Sequence, residues 1–302
     1  MSNNRVQLLA AAAVVLMVAA WIVVRTSDPT APSHVAAQPP TPLQVDCHCQ
    51  FACSCLAPEV EATSAPQCPE CPEQRECSSN PISSRPSFDQ IARSFRPITD
   101  KVDGHHYQRA YDRLLPVFLE RGKRVRVLEI GLGCNMGYGP GASVPVWLEY
   151  FKSVGIELSV FEYDAACATA YARTHPDIQI YTGDQAREED LAKLIAGPNG
   201  VGNNQFDIIV EDGGHTWVQQ QVSFRYLFPK ALAPGGMYFL EDLLTSYMGG
   251  YAGGGQVNTV DYIKTLLDDL DTKLGTPRHT EANGLWALMC FEEICVFEKT
   301  KN

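Results

Sequence analysis

The chain has 302 residues, 45% of them hydrophobic, and a formal net charge of −11. That length admits one large or two small domains of ordinary globular composition. The acidic balance excludes a nucleic-acid partner gripped by its phosphate backbone, which would demand a basic surface. It suits a neutral or cationic small molecule.

Three regions follow one another. Residues 6–24 are nearly all Ala, Val, Leu, Ile, Met and Trp, with Gln7 the only polar residue, closed at the ends by Arg5 and Arg25. At 1.5 Å rise, about 19 residues reach roughly 28 Å, close to the thickness of a bilayer core. A cleaved signal peptide has a shorter apolar stretch and a small-residue cleavage site. Residues 1–25 therefore read as an uncleaved signal anchor, with a signal peptide as the alternative. A short cytosolic tail would put the remainder in a lumen or outside the cell. Residues 26–87 are rich in Pro, Ala, Ser and Glu without apolar periodicity, which reads as a disordered stalk. Seven of the eleven cysteines lie there: Cys47, Cys49, Cys53, Cys55, Cys68, Cys71 and Cys77. Disulfides in an oxidising compartment and a thiophilic metal site are both open readings.

Residues 88–302 are long enough for one well-buried domain. In chain order the pattern predicts a helix over 107–120, a strand over 125–130, a helix over 146–151 and a strand over 158–161. A helix over 165–173, a strand over 178–181 and a helix over 188–196 follow. After a polar Gly/Asn loop at 197–204 come a strand over 206–210, a helix over 216–227 and a strand over 237–240. Alternation of this kind implies a parallel sheet with right-handed crossovers. The end of the chain differs: an amphipathic helix over 259–274, then apolar runs at 285–291 and 294–299, which read as an antiparallel hairpin. A doubly wound Rossmann-like α/β sheet closed by such a hairpin is the pattern of class I methyltransferases. Trp147, Trp217 and Trp286 read as core, and residues 249–255 as a glycine-rich lid. Cys134, Cys167, Cys290 and Cys295 read as buried apolar residues, and His105 and His106 as surface or packing residues.

The chemistry concentrates at the carboxyl ends of the strands, where open α/β sheets bind ligands. Glu211-Asp212-Gly213-Gly214-His215 and Glu241-Asp242 each follow an apolar run. Carboxylates converging there suit a hard divalent cation, and His215 could serve as a base beside it. The dull reading makes Asp212 and Asp242 helix N-caps and His215 a cap of its own turn. Gly131-Leu132-Gly133 follows the first strand as a nucleotide loop requires, but Met136 stands where a third dinucleotide glycine would be. Glu162, ending the second strand, can accept both hydroxyls of a ribose, and Asp184 is placed to meet an adenine amino group. With Glu129 or Gly131 these strand ends describe an adenosine site, and the acidic lining fits a sulfonium cofactor better than a dinucleotide.

Glu129-Ile130-Gly131-Leu132-Gly133, Gly183-Asp184-Gln185, Asp212-Gly213-Gly214-His215 and Pro234 through Leu243 resemble the metal-dependent macrolide-sugar O-methyltransferases. So do Thr99-Asp100-Lys101, His106-Tyr107 and Thr245-Ser246-Tyr247. The resemblance covers about residues 88–299. It implies Mg²⁺ on Asp212, Glu241 and Asp242, and His215 as general base. It implies S-adenosylmethionine with its ribose on Glu162, its amino-acid end against Gly131 and its adenine near Asp184 and Gln185. The acceptor would be a small-molecule hydroxyl, and a homo-oligomer is open because the resembling enzymes are often oligomeric. Glu211 departs from the family's more usual aspartate. A catalytically silent binding module on a membrane stalk is the competing reading from another class, and a nicotinamide-dependent oxidoreductase the competing enzyme.

Overall fold

The computed structural model describes residues 85–196, 206–270 and 278–301. The chain divides into Met1–Glu73 and Gln74–Asn302, and all the described residues belong to the second unit. The expected anchor, nearly all of the stalk and the 197–204 loop lie outside the described residues. Among the described residues no helix is long and apolar enough to cross a membrane.

Seven strands form one sheet: β1 (Val125–Ile130), β2 (Ile156–Glu162), β3 (Gln179–Thr182), β4 (Phe206–Glu211), β5 (Leu232–Leu240), β6 (Leu285–Cys290) and β7 (Cys295–Lys299). Their order is β3-β2-β1-β4-β5-β7-β6. The first five run parallel, and β7 pairs antiparallel with β5 and β6. This is the doubly wound sheet with a terminal hairpin that the sequence pattern predicts. The central strands are apolar on both faces because helices cover both. Val127, Ile208, Val210, Met237 and Phe239 pack into one core with the N-terminal helices. Leu128, Ile130, Ile209, Tyr238 and Leu240 pack into a second core on the other face.

Several elements depart from their predicted bounds for local reasons. The predicted helix over 107–120 is two helices, Gln108–Leu114 and Pro116–Glu120, since Pro116 has no N–H to continue the ladder. An earlier helix, Phe88–Ser94, starts with a reciprocal cap between Ser87 and Gln90 and buries Phe88 against Tyr111 and Trp147. Strand β5 begins five residues early and runs through Pro234-Gly235-Gly236, with a register shift opposite Phe206 and Ile208. A bulge of this kind is where a strand tolerates proline and a left-handed glycine, and Gly235 has φ +70°. Trp286 is 69% exposed on the edge strand and does not join the core expected for it, whereas Trp147 is fully buried.

The four domain cysteines are paired, and of the four only Cys295 is buried, which corrects their reading as buried apolar residues. Cys134 bonds Cys167, and Cys290 bonds Cys295. Strand alternation does not reveal the first pair, because residues 33 apart meet only through the β1-to-helix and β2-to-helix crossovers. The first bond ties the glycine turn after β1 to the helix after β2. The second closes the β6–β7 turn.

Gly131 is held at φ +99°, and a Cβ there would overlap the carbonyl oxygen of Asp212. The constraint on this glycine is thus the neighbouring strand end. Replacing Gly131 with Ala should cost about 2 kcal/mol or more through strain and displaced backbone. Urea unfolding of the variant against the parent chain checks this.

Candidate active site

Alternation along the strands decides where each acid points. Counting by twos from Met237 and Phe239 brings Glu241 to the face shared with the N-terminal helices, and Glu129 follows Val125 and Val127 to the same face. Between them lies Lys101, in the short helix Asp100–Asp103, 1% exposed. Its ammonium sits 2.5 Å from Asp212 Oδ2, 2.6 Å from Glu241 Oε2 and 3.4 Å from Glu129 Oε1. Burial alone would favour a neutral lysine, but Asp212 and Glu241 reverse this and hold its pKa well above the ordinary value. Tyr111 donates its hydroxyl hydrogen bond to Glu241 Oε1, and Ser143 donates to Glu129 Oε2 at 2.7 Å. Glu129 and Glu241 therefore form a closed layer beneath the strand ends.

Above that layer the carboxylates of Asp212 and Asp242 and the imidazole of His215 each offer a ligand atom, all within 4.8 Å of one another. His215 Nδ1 is buried without a hydrogen-bond partner and lies 3.6 Å from Asp242 Oδ2. Burial raises the pKa of Asp242, with His215 opposing. Both His215 (φ 60°) and Asp242 (φ 57°) occupy the left-handed region, which costs a non-glycine residue of order 1–3 kcal/mol. The surroundings hold them there. The Thr245 hydroxyl is 3.0 Å from the His215 carbonyl and 2.7 Å from that of Asp242. Gln220 donates to the Glu241 carbonyl at 2.9 Å, and Asp242 N–H donates to Tyr107 Oη at 3.0 Å.

The dull readings of these residues do not describe them. The helix Trp217–Lys230 is capped by Thr216 through a reciprocal bond with Gln219, and Asp242 makes no side-chain cap bond. A buried, unpartnered imidazole nitrogen facing two carboxylates fits a bound cation. Two carboxylates suit Mg²⁺, and the imidazole broadens the set toward transition metals.

A cavity of about 590 Å³ opens beside this cluster and runs to the glycine turn, lined among others by Gly131, Gly133, Glu162, Gln185, Asp212 and His215. Glu162 is 7% exposed; its oxygens accept from Leu132 N and Asp164 N, each at 2.8 Å. Those bonds aim the carboxylate and leave lone pairs for a ligand. Gln185 binds Glu211 and accepts from Gly214 N at 3.0 Å, so its amide braces the loop before His215. Burial pushes Glu211 up to about 7. Three predicted site residues are placed apart from the cavity wall. Glu129 and Glu241 belong to the layer below, and Asp184 caps its own turn through Ala186 N at 2.8 Å. Residues 249–255, expected as a lid, pack Gly253 toward Thr216 and are absent from the cavity lining. Sequence reasoning gave no role to Lys101, although it lies in a quoted motif, and set His105 aside although it lines the cavity.

No protein-family model matches the chain. It is similar to the L-olivosyl-oleandolide 3-O-methyltransferase of Streptomyces antibioticus, with 34% identity over 56% of this chain and 40% of that one. It is similar to the 8-demethyl-8-alpha-L-rhamnosyl tetracenomycin-C 2'-O-methyltransferase of Streptomyces olivaceus, with 30% identity over 68% of this chain and 53% of that one. Among solved structures it resembles MycE methyltransferase from the mycinamycin biosynthetic pathway in complex with Mg, SAH and mycinamycin VI. That likeness has a TM-score of 0.57 and 24% identity, covering 72% of this chain and 56% of that one. The chain spans about half the length of the curated relatives it matches. The domain thus has the class I S-adenosylmethionine-dependent methyltransferase fold. Within that class, the chain is a relative of the macrolide-sugar O-methyltransferases.

The buried lysine is testable on its own. Lys101→Met leaves buried carboxylates uncompensated and should lower unfolding free energy by about 3–5 kcal/mol. Adding Glu241→Gln should restore part of that loss in chemical denaturation. Equal stability of Lys101→Met and the parent would show that the ammonium is dispensable.

Proposed function

We propose that this chain is an S-adenosylmethionine- and Mg²⁺-dependent O-methyltransferase acting on a hydroxyl of a sugar, polyol or related small molecule. The observation that carries the reading is one cavity joining the Asp212–His215–Asp242 cluster to Glu162 and the β1 glycine turn. The oxidoreductase alternative loses ground because β5 is followed in the sheet by an antiparallel hairpin.

Asp212 and Asp242 would hold the cation, with His215 at the same cluster and Glu241 as the acid behind them. When bound, the cation acidifies a coordinated hydroxyl and stabilises its oxyanion; S-adenosylmethionine supplies an electrophilic methyl. Glu162 would bind the ribose hydroxyls, the backbone at Gly131 and Gly133 would face the amino-acid end, and Gln185 would stand toward the adenine. The His215 imidazole, which lines the cavity, would take the hydroxyl proton. The acceptor oxygen freed of that proton would receive the electrophilic methyl of an S-adenosylmethionine held by Glu162 and the Gly131–Gly133 turn. Holding both reactants in one buried geometry contributes most of the acceleration.

The domain's two disulfides support an oxidising compartment. We place the catalytic domain on the lumenal or extracellular side, with residues 1–25 as its anchor.

Incubating the full chain with methyl-labelled S-adenosylmethionine and methyl glycosides tests the activity. Methyl α-L-rhamnoside comes first, because the Streptomyces olivaceus relative is named for a rhamnosyl acceptor. Label should appear in the glycoside, vanish with EDTA and return with Mg²⁺. His215→Ala should lower kcat by about 10²–10⁴-fold with affinity for S-adenosylhomocysteine unchanged. Unchanged turnover would remove His215 from the proton transfer.

A further inference from the structure

A covalent link closes a ring at the cofactor end of the cavity. Cys134, the residue after Gly133, lines the cavity and is bonded to Cys167 in the helix Ala165–Thr174. The N–H of Cys167 donates to Asp164 Oδ1 at 3.0 Å, and Asp164, the N-cap of that helix, lines the cavity too. Asp164 N donates in turn to Glu162, whose other oxygen accepts from Leu132 N. Leu132 stands two residues before Cys134, and the ring is complete. Cys167 and Tyr171 lie one turn apart on the helix and face the same loop, where a Cβ on Gly141 would overlap the Tyr171 hydroxyl. The bonds from Met136 N to Gly133 O, Gly139 N to Met136 O and Gly141 N to Leu132 O stay within the loop and its strand end. The disulfide is the covalent tie between that loop and the helix after β2.

We propose that the Cys134–Cys167 bond holds the cofactor site in its binding shape, so that reducing it lowers affinity for S-adenosylmethionine. The inference rests on the methyltransferase reading and adds a redox dependence to its cofactor site. Both cysteines are only partly buried, so a small dithiol can reach them. A thiolate of the reductant attacks one sulfur of the pair, and its second thiol resolves the mixed disulfide. The electron pair passes to the two cysteine sulfurs, which end as thiols, and the reductant ends as a cyclic disulfide. With the bond open, the ring is closed only by the hydrogen bonds at Glu162 and Asp164. The loop then samples more conformations, and binding has to order it again. Re-ordering about one backbone residue corresponds to roughly a 10-fold loss in affinity.

Calorimetric titration of S-adenosylhomocysteine into the full chain, before and after treatment with dithiothreitol, tests this. Alkylation of parallel samples with peptide mass mapping reports which cysteines are free, and far-ultraviolet circular dichroism reports that the fold is kept. In the untreated parent Cys134 and Cys167 should resist alkylation; reduction should free both and lower affinity about 10-fold. Cys134→Ala/Cys167→Ala should show the lower affinity without reductant and no further change with it. Cys290→Ala/Cys295→Ala should keep both the parent's affinity and its sensitivity. Should the first double variant not fold, the reduced parent decides. A reduced, folded parent with unchanged affinity overturns the inference, as do free Cys134 and Cys167 in the untreated chain. Sensitivity that persists in Cys134→Ala/Cys167→Ala overturns it by assigning the effect to other cysteines. Loss of the fold on reduction overturns it too, because the bond would then serve the whole domain. An oxidised parent that binds no S-adenosylhomocysteine overturns the methyltransferase reading first, and this inference with it.

Discussion

The arrangement depends on one ammonium group. Lys101 reaches from the N-terminal helices into the sheet edge and meets acids from three strand ends, Glu129, Asp212 and Glu241. Without a buried cation these carboxylates would repel one another or take up protons. With it, the carboxyl ends of β1, β4 and β5 are drawn to one point. The helices that cover the sheet and the residues that face the cavity are thereby joined by the same contact.

A division of labour follows. Glu129 and Glu241 are spent on Lys101, Ser143 and Tyr111. Asp212 shares Lys101 but remains partly open, and Asp242 and His215 face the cavity. The left-handed backbone at His215 and Asp242 turns their side chains out of the strand direction, and Thr245, Gln220 and Tyr107 keep that conformation in place. Two disulfides brace the periphery. One lies at the glycine turn, and the other lies at the turn that carries Glu293.

Much of this is legible in the sequence. Apolar runs bounded by turns mark the strands, and β1 has the same bounds in pattern and structure. The reversal at the end of the chain shows as two apolar runs around Glu292-Glu293. The acids at strand ends are legible because carboxylates directly after buried strands have few other uses. What was not legible came from contacts between distant segments. Glu241 and Asp242 look equivalent in sequence, yet adjacent residues point to opposite sides, and only one meets the cavity. The two-residue period from Met237 carried that information. Lys101 gave no local signal, because a single lysine in a short helix is ordinarily solvated. His105 gained its place from a turn 188 residues away, and the cysteine pairs from crossovers that spacing does not encode.

The most direct test is a crystal of the full chain grown with S-adenosylhomocysteine and Mn²⁺, with data collected at the manganese edge. The account predicts an anomalous peak touching the carboxylates of Asp212 and Asp242, with Glu162 on the ribose of the nucleoside in the same cavity. No peak at the ends of β4 and β5, or a nucleoside bound away from Glu162, would contradict it.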